Sequence, residues 1–282
     1  METEIKKSQY KPRKLIIVLS NSKGGVGKTT YCMHLISAFL SSGLNVLSVD
    51  LDVKQRSLSI YLDNRKRYKA NSPNENILLP SEYILVESNS TDINVIKAEE
   101  TESFRKVISN TDADVVVIDT PGDFSHRSIL AHEVADIVIT PINDSFLDFS
   151  VIAKIDENLK ISGPSIYSNM VWEQKLLRAK SRRKTFEWFV VRNRVNNTDT
   201  ISKRKINQVT NEVSKQLGFK AIPGFSDRVI FKDLFLYGLT LLDIGKASKV
   251  KIFTPANLAA RIELRKLLDS ICFDKLVNKK NN

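Results

Sequence analysis

The sequence predicts an α/β fold built on a mainly parallel β-sheet with helices on both faces. Three observations lead there: short β-branched apolar runs recur along the chain, helix-compatible stretches separate them, and a glycine cluster directly follows the first run. A strand covered on both faces reads as an unbroken apolar run because neither side meets water, and parallel neighbours need a crossover, usually a helix, between them.

The first run is residues 14–20 (KLIIVLS), followed by the glycine cluster and by TTYCMHLISAFLSS, a helical stretch that ends at Gly43. Residues 45–50 (NVLSVD), 114–119 (DVVVID), 136–141 (DIVITP) and 188–193 (WFVVRN) read as further buried strands. Residues 64–97 are polar, contain two prolines and lack clean periodicity, so they read as a long surface excursion, with a helix resuming over about 99–110. A helix over roughly 200–217 ends at Gly218, residues 219–224 (FKAIPG) give a last short strand, and helices over about 227–236 and 256–277 close the chain. No repeat and no linker-like segment divides the core, so residues 14–277 are expected to form one domain, between a basic, flexible segment 1–13 and a basic tail 278–282.

Composition excludes several classes. Hydrophobic residues make up 42% and charged residues 27% of the 282, ordinary for a globular protein and unlike a disordered, collagenous or fibrous chain. No apolar run approaches the roughly 18 residues of a membrane span, and the N-terminus has no apolar stretch of the export type, so a cytoplasmic location is expected. The C-terminal stretch ANLAARIELRKLLDSICFDKLVNKK is amphipathic, but Leu264, Leu267, Leu268 and Ile271 recur at helical spacing and the basic residues form no long face. It reads as a core-packing helix and not as a membrane anchor. Cys32 and Cys272 have no Cys or His neighbours at ligand spacing and read as buried apolar residues. His126 and His132 miss the i, i+4 spacing of paired ligands on a helix, and His34 is a lone residue in the helix after the glycine cluster, so no histidine metal site is expected.

Charge and glycine are the two anomalies. The formal net charge is +11, and residues 173–205 carry eleven basic against three acidic residues. Such a stripe suits a polyanion, although a charge run also serves simply as a solvated face. Glycine is scarce, 10 in the chain, yet Gly24, Gly25 and Gly27 fall within four residues.

That cluster, SKGGVGKTT (22–30), lies between a strand and a helix, the context of a phosphate-binding loop. A triphosphate needs several backbone N–H donors aimed at one point, glycines let the chain wrap that closely, and the helix beginning at Lys28 adds its positive end. The candidates for binding nucleotide are Lys23, Gly24, Gly25, Val26, Gly27, Lys28, Thr29 and Thr30, with Lys28 on the β and γ phosphates and the Thr29 hydroxyl on Mg²⁺. ATP and Mg²⁺ are therefore the expected cofactors. VDLDVKQRS (49–57) puts Asp50 and Asp52 at a strand's carboxyl end, where ligands bind in such sheets. DVVVIDTPGD (114–123) ends a buried strand in Asp119, a water-mediated Mg²⁺ position, with Gly122 freeing the loop behind it. In WFVVRNR (188–194) the carboxamide of Asn193 offers the donor and acceptor that match adenine's edge.

Ser22 stands where the usual phosphate loop has its first glycine, and a second lysine, Lys23, precedes the glycine pair. In this the chain resembles the ParA/MinD family of deviant Walker A ATPases. The resemblance implies a P-loop NTPase fold, slow regulatory ATP hydrolysis and an ATP-sandwich homodimer in which Lys23 reaches the partner subunit's nucleotide. It also implies that Asp52 orients the hydrolytic water, that Asp50 supports the metal through its shell, and that Asn193 and Pro223 flank the adenine. Lys23, Lys28 and Asp52 are then the catalytic candidates, and Thr29, Asp50 and Asp119 the metal candidates.

Within that family DLDVKQRS, TPINDSFLDF (140–149), PSIYSNMVWE (164–173), WFVVRNR and DRVIFKDLFLYGLTLLDI (227–244) look like the MipZ branch of division-plane positioning ATPases. That likeness implies nonspecific DNA binding with nucleoid association of the dimer, a ParB-like partner and inhibition of FtsZ assembly. A ParA-type chromosome or plasmid partition ATPase is the alternative and shares every catalytic residue. A small-molecule kinase is disfavoured by Lys23 and the acidic pair, and a redox ATPase would need cluster-binding cysteines. The DNA candidates are Arg194, Lys203, Arg204 and Lys205, with Lys215, Lys220 and Arg228 as outer members, while Arg178, Arg182 and Arg183 are candidates for a dimer or protein contact. One departure stands out: MipZ-like chains read DTPGGDS where this one reads DTPGDFS, so Asp123 replaces a switch-loop glycine and puts the switching rate in doubt.

Overall fold

The computed structural model describes residues 14–156, 160–181, 184–195, 201–250 and 254–281, so the segment 1–13 lies outside it. The first half alternates strand and helix: β1 (Leu15–Leu19), α1 (Lys28–Ser41), β2 (Val46–Asp50), α2 (Ser57–Asn71), β3 (Ser81–Ile84), α3 (Ile93–Asn110), β4 (Val115–Asp119), α4 (His126–Val134) and β5 (Ile137–Asn143). A short helix α5 (Phe146–Phe149) and a hairpin of β6 (Ala153–Ile155) and β7 (Ile161–Pro164) follow. Then come α6 (Ile166–Lys180), β8 (Glu187–Asn193), α7 (Ile201–Leu217), β9 (Lys220–Ile222), α8 (Ile230–Tyr237), α9 (Pro255–Ser270) and α10 (Phe273–Asn281).

Seven strands form one sheet in the order β3-β2-β4-β1-β5-β8-β9, every pairing parallel. Successive side chains of a strand point to opposite faces, so the continuous apolar runs feed two cores. Ile17 and Leu19 of β1 meet α1, α2, α8 and α9 on one face, while Ile16 and Val18 meet α3, α4, α6 and α7 on the other. The chain leaves β1 toward β2 on one side and later adds β5 on the other. This reversal opens a crevice at the strand carboxyl ends, where the glycine loop lies.

The expected strands appear within one or two residues of their ends, 219–224 shortening to β9, but several other expectations need correction. The polar excursion 64–97 contains the larger part of α2, the edge strand β3 and the start of α3. Helix α2 buries Leu58, Tyr61, Leu62, Arg65 and Tyr68 at helical spacing, and an arginine in a core position disguises that period. Helix α3 starts at Ile93, six residues early, because Asp92 caps it by accepting from the Asn94 N–H at 2.8 Å. The expected helix 256–277 is two helices, broken at Cys272, whose φ of 57° is left-handed. Cys272 is therefore exposed at a turn, not buried, whereas Cys32 is fully buried. Residues 278–281 of the expected tail belong to α10.

Candidate functional site

The glycine loop covers the carboxyl end of β1 and opens α1. Gly25 and Gly27 have φ of 72° and 96°, a region that a Cβ disfavours, and a Cβ at Gly27 would lie 2.4 Å from Asn193 Nδ2. No side chain caps the N-terminus of α1, so its N–H groups stay available to an anion. The loop borders a cavity of about 280 Å³ whose floor is Gly24, Gly25, Gly27, Lys28, Thr29 and Thr30. Asp52, Gln55 and Ser57 beyond β2 and Asp119, Thr120 and Gly122 at β4 form its walls, and Arg194 and Phe235 complete the rim.

Neighbouring strands brace the loop through buried carboxamides. Asn21 donates from Nδ2 to the Pro141 carbonyl at 2.6 Å and accepts at Oδ1 from the Lys23 N–H at 2.7 Å. Asn193 donates to the carbonyl of Val26 at 2.8 Å and accepts from Tyr31 Oη at 3.3 Å. Tyr31 in turn accepts from the Phe225 N–H at 3.0 Å and stacks on that ring with centroids 4.7 Å apart. The turn after β4 leans on the loop from above, since a Cβ at Gly122 would lie 2.9 Å from the nitrogen of Gly24.

The two lysines differ in setting. Lys28 is 8% exposed and donates from Nζ to the Lys23 carbonyl at 3.0 Å. Burial lowers its pKa, and the carboxylates of Asp119 and Asp52 work against that shift. Lys23 does not line the cavity; its ammonium lies 2.7 Å from the Leu147 carbonyl and 3.2 Å from Asp148.

A divalent cation suits the residues beneath. Thr29 Oγ1 donates to Asp119 Oδ2 at 2.6 Å, while Asp119 Oδ1 is buried with no hydrogen-bond partner. Burial pushes the Asp119 carboxyl up to about 7 even though the Thr29 hydroxyl stabilises its charge. An orphaned, desolvated carboxylate oxygen beside a threonine hydroxyl is a donor set that a hard cation would satisfy. Thr29 and Asp119 would hold it.

Asp50, opposite Asp119 in the sheet, stands behind the cavity. Its Oδ1 accepts from the Asp52 N–H at 3.0 Å, and its Oδ2 accepts from Ser59 N–H and Oγ–H at 2.9 and 2.8 Å, outside the cavity lining. It thereby fixes the start of α2 and the backbone of Asp52. Asp52 does line the cavity, with Oδ1 accepting from the N–H groups of Lys54 and Gln55 at 3.2 and 2.9 Å. Val26 presents its carbonyl to Asn193 and buries its side chain. Pro223 lies in a different cavity, between β9 and α7, together with Arg192, Asn207 and Asn211.

The candidates for DNA scatter. Arg194 borders the phosphate-loop cavity in a left-handed conformation, φ 52°. Lys205 and Lys215 are exposed on α7, which also carries Lys203 and Arg204, although those two side chains lie outside the description. Lys220 pairs with Glu187 at 2.6 Å on the open surface, and Arg228 with Glu263 at 2.7 Å in a less exposed setting. Arg178 is buried and donates to the carbonyls of Glu133 and Ala135, which removes it from any contact surface, and Arg182 and Arg183 lie outside the described residues. Residues the sequence reading missed are Asn21, Tyr31, Gln55, Ser57 and Phe235. Gln55 and Ser57 stand inside the segment already singled out after β2, whereas Phe235 reaches the cavity from α8 with no local signal.

A family model described as ATPase MipZ matches residues 15–274. No curated protein matches the chain. Among solved structures, MinD in the MinC:MinD cell division complex of Aquifex aeolicus has 18% identity and a TM-score of 0.53, covering 90% of this chain and 96% of that one. A plasmid partition protein of Borrelia burgdorferi bound to AMPPNP has 15% identity and a TM-score of 0.55, covering 92% and 100%. MinD of Pyrococcus horikoshii with Mg-ADP has 17% identity and a TM-score of 0.53, covering 92% and 98%. At these identities the structural matches establish the fold.

Proposed function

The chain belongs to the MipZ ATPase family, and on that premise we propose that it is an ATP-driven dimerisation switch of the cytoplasm that positions the division plane. As a dimer it binds DNA without sequence preference, associates with the nucleoid, meets a ParB-like protein and restrains FtsZ assembly. The observation that carries this reading is Lys23: a second lysine on a phosphate loop, whose ammonium is held by the Leu147 carbonyl and Asp148 and does not line its own subunit's cavity, supports a role at the partner subunit's nucleotide.

The residues divide the work. Lys28 and the N–H groups of residues 24–29 hold the β and γ phosphates, and Thr29 and Asp119 would hold a Mg²⁺ that would supply countercharge to the phosphates. Asp52, at the wall, orients the attacking water. Gly122, against Gly24, ties the loop after β4 to the phosphates, and Asp123 gives that loop a fixed end by accepting from the Ser125 N–H at 3.0 Å. Asn193 braces the loop and flanks the base. ATP shifts the monomer–dimer balance only as far as it binds the dimer better than the monomer, and a phosphate contact made by the partner subunit's lysine supplies that difference.

The lysines of α7 supply the DNA face. Lys205 and Lys215 give phosphate contacts without a base-reading element, so affinity falls steeply with salt. No helix among the described residues is long and apolar enough to cross a membrane. A ParA-type partition ATPase shares all of this chemistry and differs in its target. Sedimentation of FtsZ polymers separates the two: with ATP the protein lowers the pelleted polymer and with ADP it does not, whereas equal pellets in both nucleotides sink the division-plane reading.

A further inference from the structure

A one-way chain of hydrogen bonds crosses the second core and ends on the phosphate loop. Trp188 Nε1–H donates to Thr140 Oγ1 at 3.0 Å, Thr140 and Tyr167 hydroxyls are 2.8 Å apart, and Tyr167 Oη–H donates to the Ser20 carbonyl at 2.9 Å. All four residues are at most 2% exposed. The proton order is forced, because an indole N–H can only donate and a carbonyl can only accept. Tyr167 commits its single proton to Ser20, so Thr140 gives its own to Tyr167 and accepts from Trp188. Burial pushes the Tyr167 phenol up to about 12, which keeps that donor protonated at neutral pH.

The receiving carbonyl belongs to the peptide joining Ser20 to Asn21, where the chain turns out of β1 into the loop. Asn21 holds the far side of the turn through Pro141 and Lys23, so Tyr167 and Asn21 grip it from two directions. Tyr167 cannot follow the turn if it moves. It lies in the first turn of α6, where Ser165 accepts from the Ser168 N–H at 3.0 Å and Ser168 Oγ donates to the Ile152 carbonyl at 2.6 Å. Triphosphate binding depends on several N–H groups converging on one point, so the peptide that launches the loop sets the aim of all of them.

We propose that Tyr167 is a positioning residue for nucleotide binding, fixing the Ser20–Asn21 peptide and through it the phosphate loop. The assignment rests on the reading of the cavity as an ATP site. Without the phenol the Ser20 carbonyl keeps no side-chain donor; the Ser20 N–H stays on the Ile139 carbonyl at 3.0 Å and Asn21 is the one side chain left on the turn, and ATP affinity drops about tenfold, the scale of one buried hydrogen bond.

Two variants of the full-length protein separate positioning from mere stability. Tyr167→Phe removes the bond to Ser20, whereas Thr140→Val removes two equally buried bonds and leaves that one in place. Thermal unfolding, ATP titration calorimetry and steady-state hydrolysis are compared for both. Both variants are expected to unfold at lower temperature, but only Tyr167→Phe weakens ATP binding and raises KM, about tenfold, with kcat within a factor of two. Wild-type affinity in Tyr167→Phe, or an equal loss in Thr140→Val, overturns the proposal. Failure of ATP to bind the wild-type chain overturns the site reading, and this assignment with it.

Discussion

Lys23 sits in a seat it can leave at small cost. Its partners are the Leu147 carbonyl and Asp148, outside the cavity lining, and the Lys23 side chain is 33% exposed. An ion pair of that exposure is worth about 0–1 kcal/mol, less than a lysine gains on a triphosphate held in a partly closed interface. The Lys23→Ala protein should therefore bind ATP as the wild type does and fail to dimerise with a nonhydrolysable analogue in analytical ultracentrifugation. Normal dimers would remove the role given to this lysine. Asp50 and Asp52 show what spacing could and could not settle. Both stand at a strand's carboxyl end, and only the fold decides that Ser59 and the Asp52 N–H use both oxygens of Asp50 while Asp52 faces the cavity. Asp119 was legible because a buried apolar strand ending in an acid leaves that acid in the crevice. The unpartnered oxygen that suits a cation was not legible, since it depends on what β1 and α1 fail to supply.

Helix α2 is the element where pattern reading failed, and the cause is one residue. Arg65, 2% exposed, donates to the carbonyls of Leu78 and Gly238 and pairs with Asp243 through both terminal nitrogens at 2.8 and 3.1 Å. Asp243 also accepts from Thr240 N–H and Oγ–H, and although burial raises its pKa, Arg65 and Thr240 bring it below the ordinary value. This cluster ties α2 to the turn that ends α8, where Gly238 approaches so closely that a Cβ would lie 1.9 Å from the Arg65 nitrogen. Residue type announces an arginine as surface, and only its long-range partners make it core. The central strands were legible for the opposite reason, since both faces are buried and the apolar run is local. The edge strand β3, with one exposed residue and three half-buried ones, carries no such run. Removing one partner of a buried pair leaves an uncompensated charge, so Arg65→Met should lower unfolding free energy in urea by about 3–5 kcal/mol. Replacing Asp243 by Asn in the same chain should recover part of that loss. A cost under about 1 kcal/mol for Arg65→Met would show that α2 is held by its apolar contacts alone.

Across the whole molecule the net charge of +11 is less available than the sequence suggests. Within the basic stretch Arg178 is turned inward onto backbone carbonyls and Arg192 pairs with Asp144, so among the described side chains of that stretch the exposed cations are Lys180, Lys184, Arg194 and Lys205. The response to acid is likewise decided inside. His34 on α1 and His132 on α4 serve opposite cores, both fully buried, and burial lowers each to about 4, although bonds to the Thr30 and Ser128 carbonyls oppose the shift. A folded pKa below the unfolded value of about 6.5 means that the unfolded chain binds the proton first as pH falls. Each histidine thus leaves stability intact above about pH 6.5 and withdraws it down to about pH 4. Asp119, raised to about 7, works in the opposite direction over much of the same window, so total stability does not isolate either histidine. The difference between the wild type and His132→Phe does. His132 Nε2 has no hydrogen-bond partner and the ring lies among Tyr167 and Phe186, so phenylalanine suits the site. Measured by urea unfolding, the wild type should lose stability relative to His132→Phe by about 1.4 kcal/mol per pH unit between 6.5 and 4, with a constant difference above pH 7. A difference that stays flat across the acid range would mean that His132 gains its proton in the folded protein as easily as in the unfolded one, and that the α4 core admits charge.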